Sequence, residues 1–87
     1  MGIGEIKESV MFTYSTKELT QTEKVKFHYS LKGRNGTPGL LERLDGSHIG
    51  ATVILIPKKH ESLAVQFFQK LGIPFEKKTL VFKEDEN

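Results

Sequence analysis

From Lys24 to Lys32 the chain alternates without a break: Val25, Phe27, Tyr29 and Leu31 are apolar, and Lys24, Lys26, His28, Ser30 and Lys32 stand around them. Successive side chains of a strand point to opposite faces, so this pattern predicts a strand with one face in the core and the other basic and wet. Val10, Phe12 and Tyr14 show the same period just upstream, within Val10 to Ser15. The polar stretch from Thr16 to Glu23 joins the two runs, and an antiparallel hairpin is their simplest arrangement.

Past Leu31 the pattern changes. Lys32-Gly33-Arg34-Asn35-Gly36 is a glycine-rich loop in which Asn35-Gly36 suits a hairpin turn, but the residues after it alternate poorly. Thr37 as an N-cap and Pro38 at a first helical position predict instead a short helix from about Pro38 to Asp45. Leu40, Leu41 and Leu44 share one face of it, and Gly46 ends it. Ala51 to Ile56 is β-branched and continuously apolar, the mark of a strand covered on both faces or flanked by neighbours, and Pro57 ends it. Leu63, Ala64, Phe67, Phe68 and Leu71 then recur at the helical period, with Gln66, Gln69 and Lys70 opposite and Gly72 and Pro74 as a stop. Phe75 to Phe82 reads as a final strand.

The expected order is therefore β-β-α-β-α-β, an α+β two-layer sandwich. Strands starting at Lys24, Ala51 and Phe75, joined through crossover helices, run parallel, and the first strand pairs antiparallel with its neighbour. That gives a four-stranded mixed sheet with two helices on one face and Lys24, Lys26, His28, Ser30 and Lys32 on the other. A single domain spans residues 10–82, between a flexible N-terminal segment 1–9 and an acidic disordered tail 83–87.

Length agrees with one domain, since 87 residues leave no room for a second core. The sequence has no cysteine, which excludes disulfides, thiol nucleophiles and zinc sites built on thiolates. A secreted scaffold of this size ordinarily needs such staples, and Met1 to Glu8 lacks the basic start and apolar stretch of a signal peptide, so the expectation is cytoplasmic. The longest apolar run, Ile49 to Ile56, falls far short of the roughly 20 residues that span a bilayer, and no membrane partner is expected.

Net charge is only +2, but it is uneven: from Lys24 to His60 seven Lys or Arg stand against Glu42 and Asp45. Ligands of sheets with crossover helices favour the carboxyl ends of parallel strands, where helix starts present unpaired amides. Those ends carry Lys32-Gly33-Arg34-Asn35-Gly36 and Pro57-Lys58-Lys59-His60. Lying side by side, they form an anion-binding rim from Lys32, Arg34, Lys58, Lys59 and His60, with the loop backbone of Gly33, Asn35 and Gly36 beneath and Lys24, Lys26 and His28 extending the patch. The loop matches neither the P-loop nor the dinucleotide glycine pattern, and a solvated glycine-rich connection is the competing account.

Asp45, Ser47 and His48 lie within four residues, too close in sequence to converge as a triad. His28, His48 and His60 have no metal-ligand spacing. No catalytic residue, metal or cofactor is therefore assigned. The leading expectation is a small non-enzymatic nucleic-acid-binding protein, or a basic accessory subunit of a DNA- or RNA-handling complex, that contacts phosphates without base specificity. The alternative is a protein-protein interaction module working through strand edges, Val10 to Ser15 or Thr79 to Phe82, or as a homodimer. A third class, an enzyme on a phosphorylated small molecule, lacks an acid or nucleophile near the glycine loop.

Overall fold

The computed structural model describes residues 6–83. Strand β1 (Ile6–Tyr14) contains the upstream alternating run and extends it, so residues 6–9, assigned above to a flexible segment, pair within the sheet. Residues 1–5 and the acidic stretch 84–87 lie outside the described residues.

The main correction concerns the alternating run from Lys24. It is not a strand but helix α1 (Gln21–Lys32), so the hairpin and the basic sheet face are both absent. The reason lies just upstream, in Thr20-Gln21-Thr22-Glu23. The Thr20 hydroxyl accepts from the Glu23 amide at 3.1 Å, and the Glu23 carboxylate accepts from the Thr20 amide at 2.9 Å. This reciprocal cap satisfies amides that a helix start leaves unpaired. Apolar residues at every second position also contain two pairs spaced by four, Val25 with Tyr29 and Phe27 with Leu31. Burying the second pair is enough to dock the helix; Phe27 and Leu31 are in the core, whereas Val25 and Tyr29 remain 41% and 38% exposed.

Asn35 and Gly36 have φ of 50° and 85°, positive at both, which is what a tight two-residue hairpin demands. They close a small ribbon of β2 (Gly33–Arg34) and β3 (Thr37–Pro38). Thr37 and Pro38 therefore pair in a ribbon rather than start a helix, and α2 (Leu40–Arg43) is shorter than expected. Its N-cap is Gly39, where a Cβ would sit 2.5 Å from the Leu31 carbonyl oxygen, so no side chain fits.

β4 (Ser47–Gly50) is a strand that the sequence pattern does not predict. The rest follows the expected elements more closely: β5 (Val53–Pro57) is followed by a 3-10 turn at Lys58–His60, helix α3 (Glu61–Leu71) and strand β6 (Phe75–Lys83). Gly72 ends α3 in the left-handed conformation, φ 69°.

The fold is α+β with a four-stranded sheet, but its order is β4-β5-β1-β6 and every neighbouring pair is antiparallel. The predicted mixed sheet fails because β1 inserts between β5 and β6. Those two strands, joined through α3, run in the same direction but never touch. β1 is thus a central strand, and Val10 to Ser15 offers no free edge; β4 and β6 are the edges.

Val10, Phe12 and Tyr14 of β1 and Ile54 and Ile56 of β5 face the helices, which contribute Phe27, Leu31, Leu40, Ala64 and Phe68 to one core. Phe68 is its hub, with ring centroids 5.2 to 5.5 Å from those of Phe12, Tyr14, Phe67 and Phe75. All helices therefore lie on one face of the sheet, in two layers.

Candidate functional site

Residues four apart on a helix stack along one line, so Lys24, His28 and Lys32 form a cationic stripe down α1. That stripe overhangs the turn between β4 and β5 and makes one wall of a hollow of about 360 Å³. Tyr14, Thr16, His48, Ala51 and Thr52 line the other side, and among the described residues no carboxylate lines it. The Tyr14 hydroxyl lies 3.4 Å from His48 Nε2 and donates to the Ala51 carbonyl at 3.5 Å. The Tyr14 ring is packed against Phe27 and Phe68, and burial pushes its phenol above the ordinary tyrosine value, so it stays a neutral donor. A register shift between His48 and Gly50 marks the strand that carries the histidine to this place.

The outer flank of the same stripe is partly apolar. Gln21, Val25 and Tyr29 join Lys24 and His28 around a shallower hollow of about 260 Å³, again without a carboxylate among the described residues. Arg34 reaches back from β2 and places its guanidinium carbon 4.4 Å from the centroid of the Tyr29 ring. The His28 and Tyr29 rings meet edge to face at 6.2 Å. Arg34 thus lies over an exposed aromatic ring that borders the stripe at His28.

Other residues expected in the patch are elsewhere. Lys26 faces the opposite flank of α1, where Glu23, Ser30 and Lys70 line another hollow. Gly33, Asn35 and Gly36 shape the small ribbon. Lys32 stands in the last turn of α1, whose dipole is negative there, so this corner offers no helix start to an anion.

Lys58, Lys59 and His60 do precede a helix, but they follow the C-terminal end of β5, whereas Thr52, on the wall opposite Lys32, immediately precedes its first residue. The two basic corners expected side by side therefore sit at opposite ends of one strand. The parallel neighbours that would have joined them do not exist. The second corner is also charge-compensated, because Glu8 and Asp45 line its hollow of about 600 Å³ with Lys7, Lys58 and Lys59. Glu61 accepts Lys58 at 2.8 Å and Lys77 at 2.6 Å. These hydrogen bonds hold the Glu61 carboxyl below its usual value, and the bond to Glu61 holds the Lys58 ammonium above its own.

Ser47 and His48, consecutive in β4, project to opposite faces, and Asp45 lines the hollow at the Lys58 end, so these three do not converge. Among the described residues, no group of three or more His, Cys, Asp or Glu side chains could hold a metal ion. No helix among them is long and apolar enough to cross a membrane.

Tyr29 and His48 are the site residues that sequence reasoning missed. The Thr20 to Glu23 capping pattern was the available signal for the first, since it turns Tyr29 from an inward strand position into an exposed helical one. His48 had no such signal, because it depends on which hollow the β4–β5 turn borders. Comparison with family models, with curated proteins and with solved structures finds no match for this chain.

Proposed function

We propose that the protein binds nucleic acid through α1, holding the phosphate backbone without reading bases, either alone or as a basic accessory subunit of a larger complex. The observation that carries this reading is the stripe Lys24, His28 and Lys32 with Arg34 beside it, on hollows that no carboxylate of the described residues lines. Phosphate contacts need cations whose charge is not already spent, and the Lys58 corner, bound to Glu61, meets that requirement poorly. Tyr29, exposed beside Arg34, adds a surface on which an unpaired base stacks. Three permanent cations on one track imply a salt dependence with a slope of roughly −3 in log affinity against log salt on a duplex, and roughly −2 on a single strand. Fluorescence anisotropy with labelled single- and double-stranded oligonucleotides, titrated with salt, tests this. Affinity that ignores salt would contradict it.

A second reading, pairing of a strand edge with another polypeptide, is favoured by β6, whose nine residues form one border of the sheet. Lys77 and Lys78 in mid-strand work against it, since charged side chains discourage edge pairing. Solution mass with and without oligonucleotide separates the two: a partner-bound or self-associated protein with no affinity for nucleic acid belongs to the second.

A further inference from the structure

Among the described residues, none lies over the sheet face turned away from the helices, and that face is not polar. Register places Met11, Val53, Leu55, Pro57 and Leu80 on that face, all half-buried, with Ser9, Thr13, Ser47, Glu76 and Lys78 around them. An antiparallel sheet with one wet face ordinarily alternates apolar and polar residues. β5 does not: Val53-Ile54-Leu55-Ile56-Pro57 is apolar at every position, the composition of a strand covered on both sides, whereas the helices cover Ile54 and Ile56 alone.

We infer that a second copy of the chain covers this face, packing sheet against sheet about a two-fold axis that crosses the strands. The face is self-complementary about one such axis. Glu76 and Lys78 lie two residues apart on β6, and their rows continue across the sheet as Thr13 and Val53 and as Met11 and Leu55. An axis passing between these rows sets Glu76 of each copy opposite Lys78 of the other, and Leu55 opposite Val53. Two ion pairs then close the β6 border of an apolar contact, and like charges are kept apart.

The axis also fixes the size of the contact. Turned about it, β6 and β1 overlap their counterparts over five residues each and β5 and β4 over about three, which at about 4.8 Å spacing and about 3.3 Å per residue projects to roughly 250 Å² per copy. That is the size of a weak, reversible association, which forms only as concentration rises. Aligned packing of two twisted sheets is a common solution for such faces. α1 belongs to the outer layer, so self-association and binding on the Lys24 stripe succeed or fail separately.

Analytical ultracentrifugation of the full chain over a concentration series tests the inference. The expected result is a dimer that Leu55→Glu turns into a monomer with an unchanged circular dichroism spectrum. Should Leu55→Glu fail to fold, charge exchange serves in its place: Lys78→Glu weakens the dimer by opposing two carboxylates to two others, and Glu76→Lys combined with Lys78→Glu restores it. A wild-type chain that stays monomeric throughout overturns the inference. So does a dimer indifferent both to Leu55→Glu and to Lys78→Glu, which would place the contact on another surface.

Discussion

The Tyr14 hydroxyl and His48 Nε2 stand 3.4 Å apart across the floor of the cationic hollow, joining the end of β1 to edge strand β4. Both polar contacts of this hydroxyl are long, and the ring beneath is held by Phe27 and Phe68. Tyr14→Phe should therefore cost less than about 1 kcal/mol at neutral pH. That gap should close in alkali and then reverse. The folded protein holds the phenol above the ordinary value of 10.0, so the associated stability is intact below that value and is lost as pH climbs through the folded one. Thermal melts from neutral to strongly alkaline pH should show the wild type losing more than Tyr14→Phe; parallel losses would mean that the phenol is solvated.

Glu61 gives the opposite dependence. Hydrogen bonds from Lys58 and Lys77 lower its folded value below the ordinary 4.5, so its contribution is present above that value and disappears as pH falls through the folded one. Glu61→Gln should melt below the wild type at neutral pH, with the gap closing in acid. The size is small because the group is near the surface. A gap that persists in acid would assign the loss to packing at the start of α3.

Phe68 is fully buried and its ring meets those of Phe12, Tyr14, Phe67 and Phe75. Truncating it removes contacts from both layers at once. Phe68→Ala should cost about 3–5 kcal/mol, against a total stability of about 5–15 kcal/mol for a domain. Urea unfolding should show a large drop in midpoint or no folded baseline. A loss near 1 kcal/mol would mean that the ring cluster is loosely packed.

Gly39→Ala tests a backbone contact rather than a side chain. The added methyl meets the Leu31 carbonyl oxygen and the Gly33 amide nitrogen, both main-chain atoms that cannot rotate away. The ribbon and α2 must shift, and the melting temperature should fall by several degrees. Gly36→Ala is a useful comparison, because space is open there and only its φ of 85° resists. Equal effects would argue against the close approach at Gly39.

Much of this architecture was legible in the residues. Leu63 to Leu71 carries a helical period that Gly72 closes, and Phe75 to Phe82 and Val53 to Ile56 lie in strands as their composition implies. Lys24 to Leu31 was misleading because its apolar positions satisfy two periods at once. Only the cap at Thr20 and Glu23, a local hydrogen-bonding preference rather than a hydrophobic one, decides between them. Thr37-Pro38 failed for a similar reason: the positive φ of Asn35 and Gly36 commits these residues to a ribbon before a helix can start. β4 was hidden by its four-residue length and its irregular register. The cationic stripe was legible in part, since Lys24, His28 and Lys32 share a side under either period. Lys26 left the group, and Lys58 and Lys59 were separated from it, once the run became a helix and the sheet became antiparallel.

Two double charge reversals test the placement of the nucleic-acid surface most directly. Lys24→Glu with Lys32→Glu removes the stripe, and Lys58→Glu with Lys59→Glu alters the compensated corner at the far end of β5. Measured by anisotropy on the same labelled oligonucleotide across a salt series, the first should weaken binding more than tenfold and reduce the salt slope by about 2, while the second leaves both nearly as they are. Equal losses from the two pairs, or none from the first, would contradict the assignment of the interface to α1.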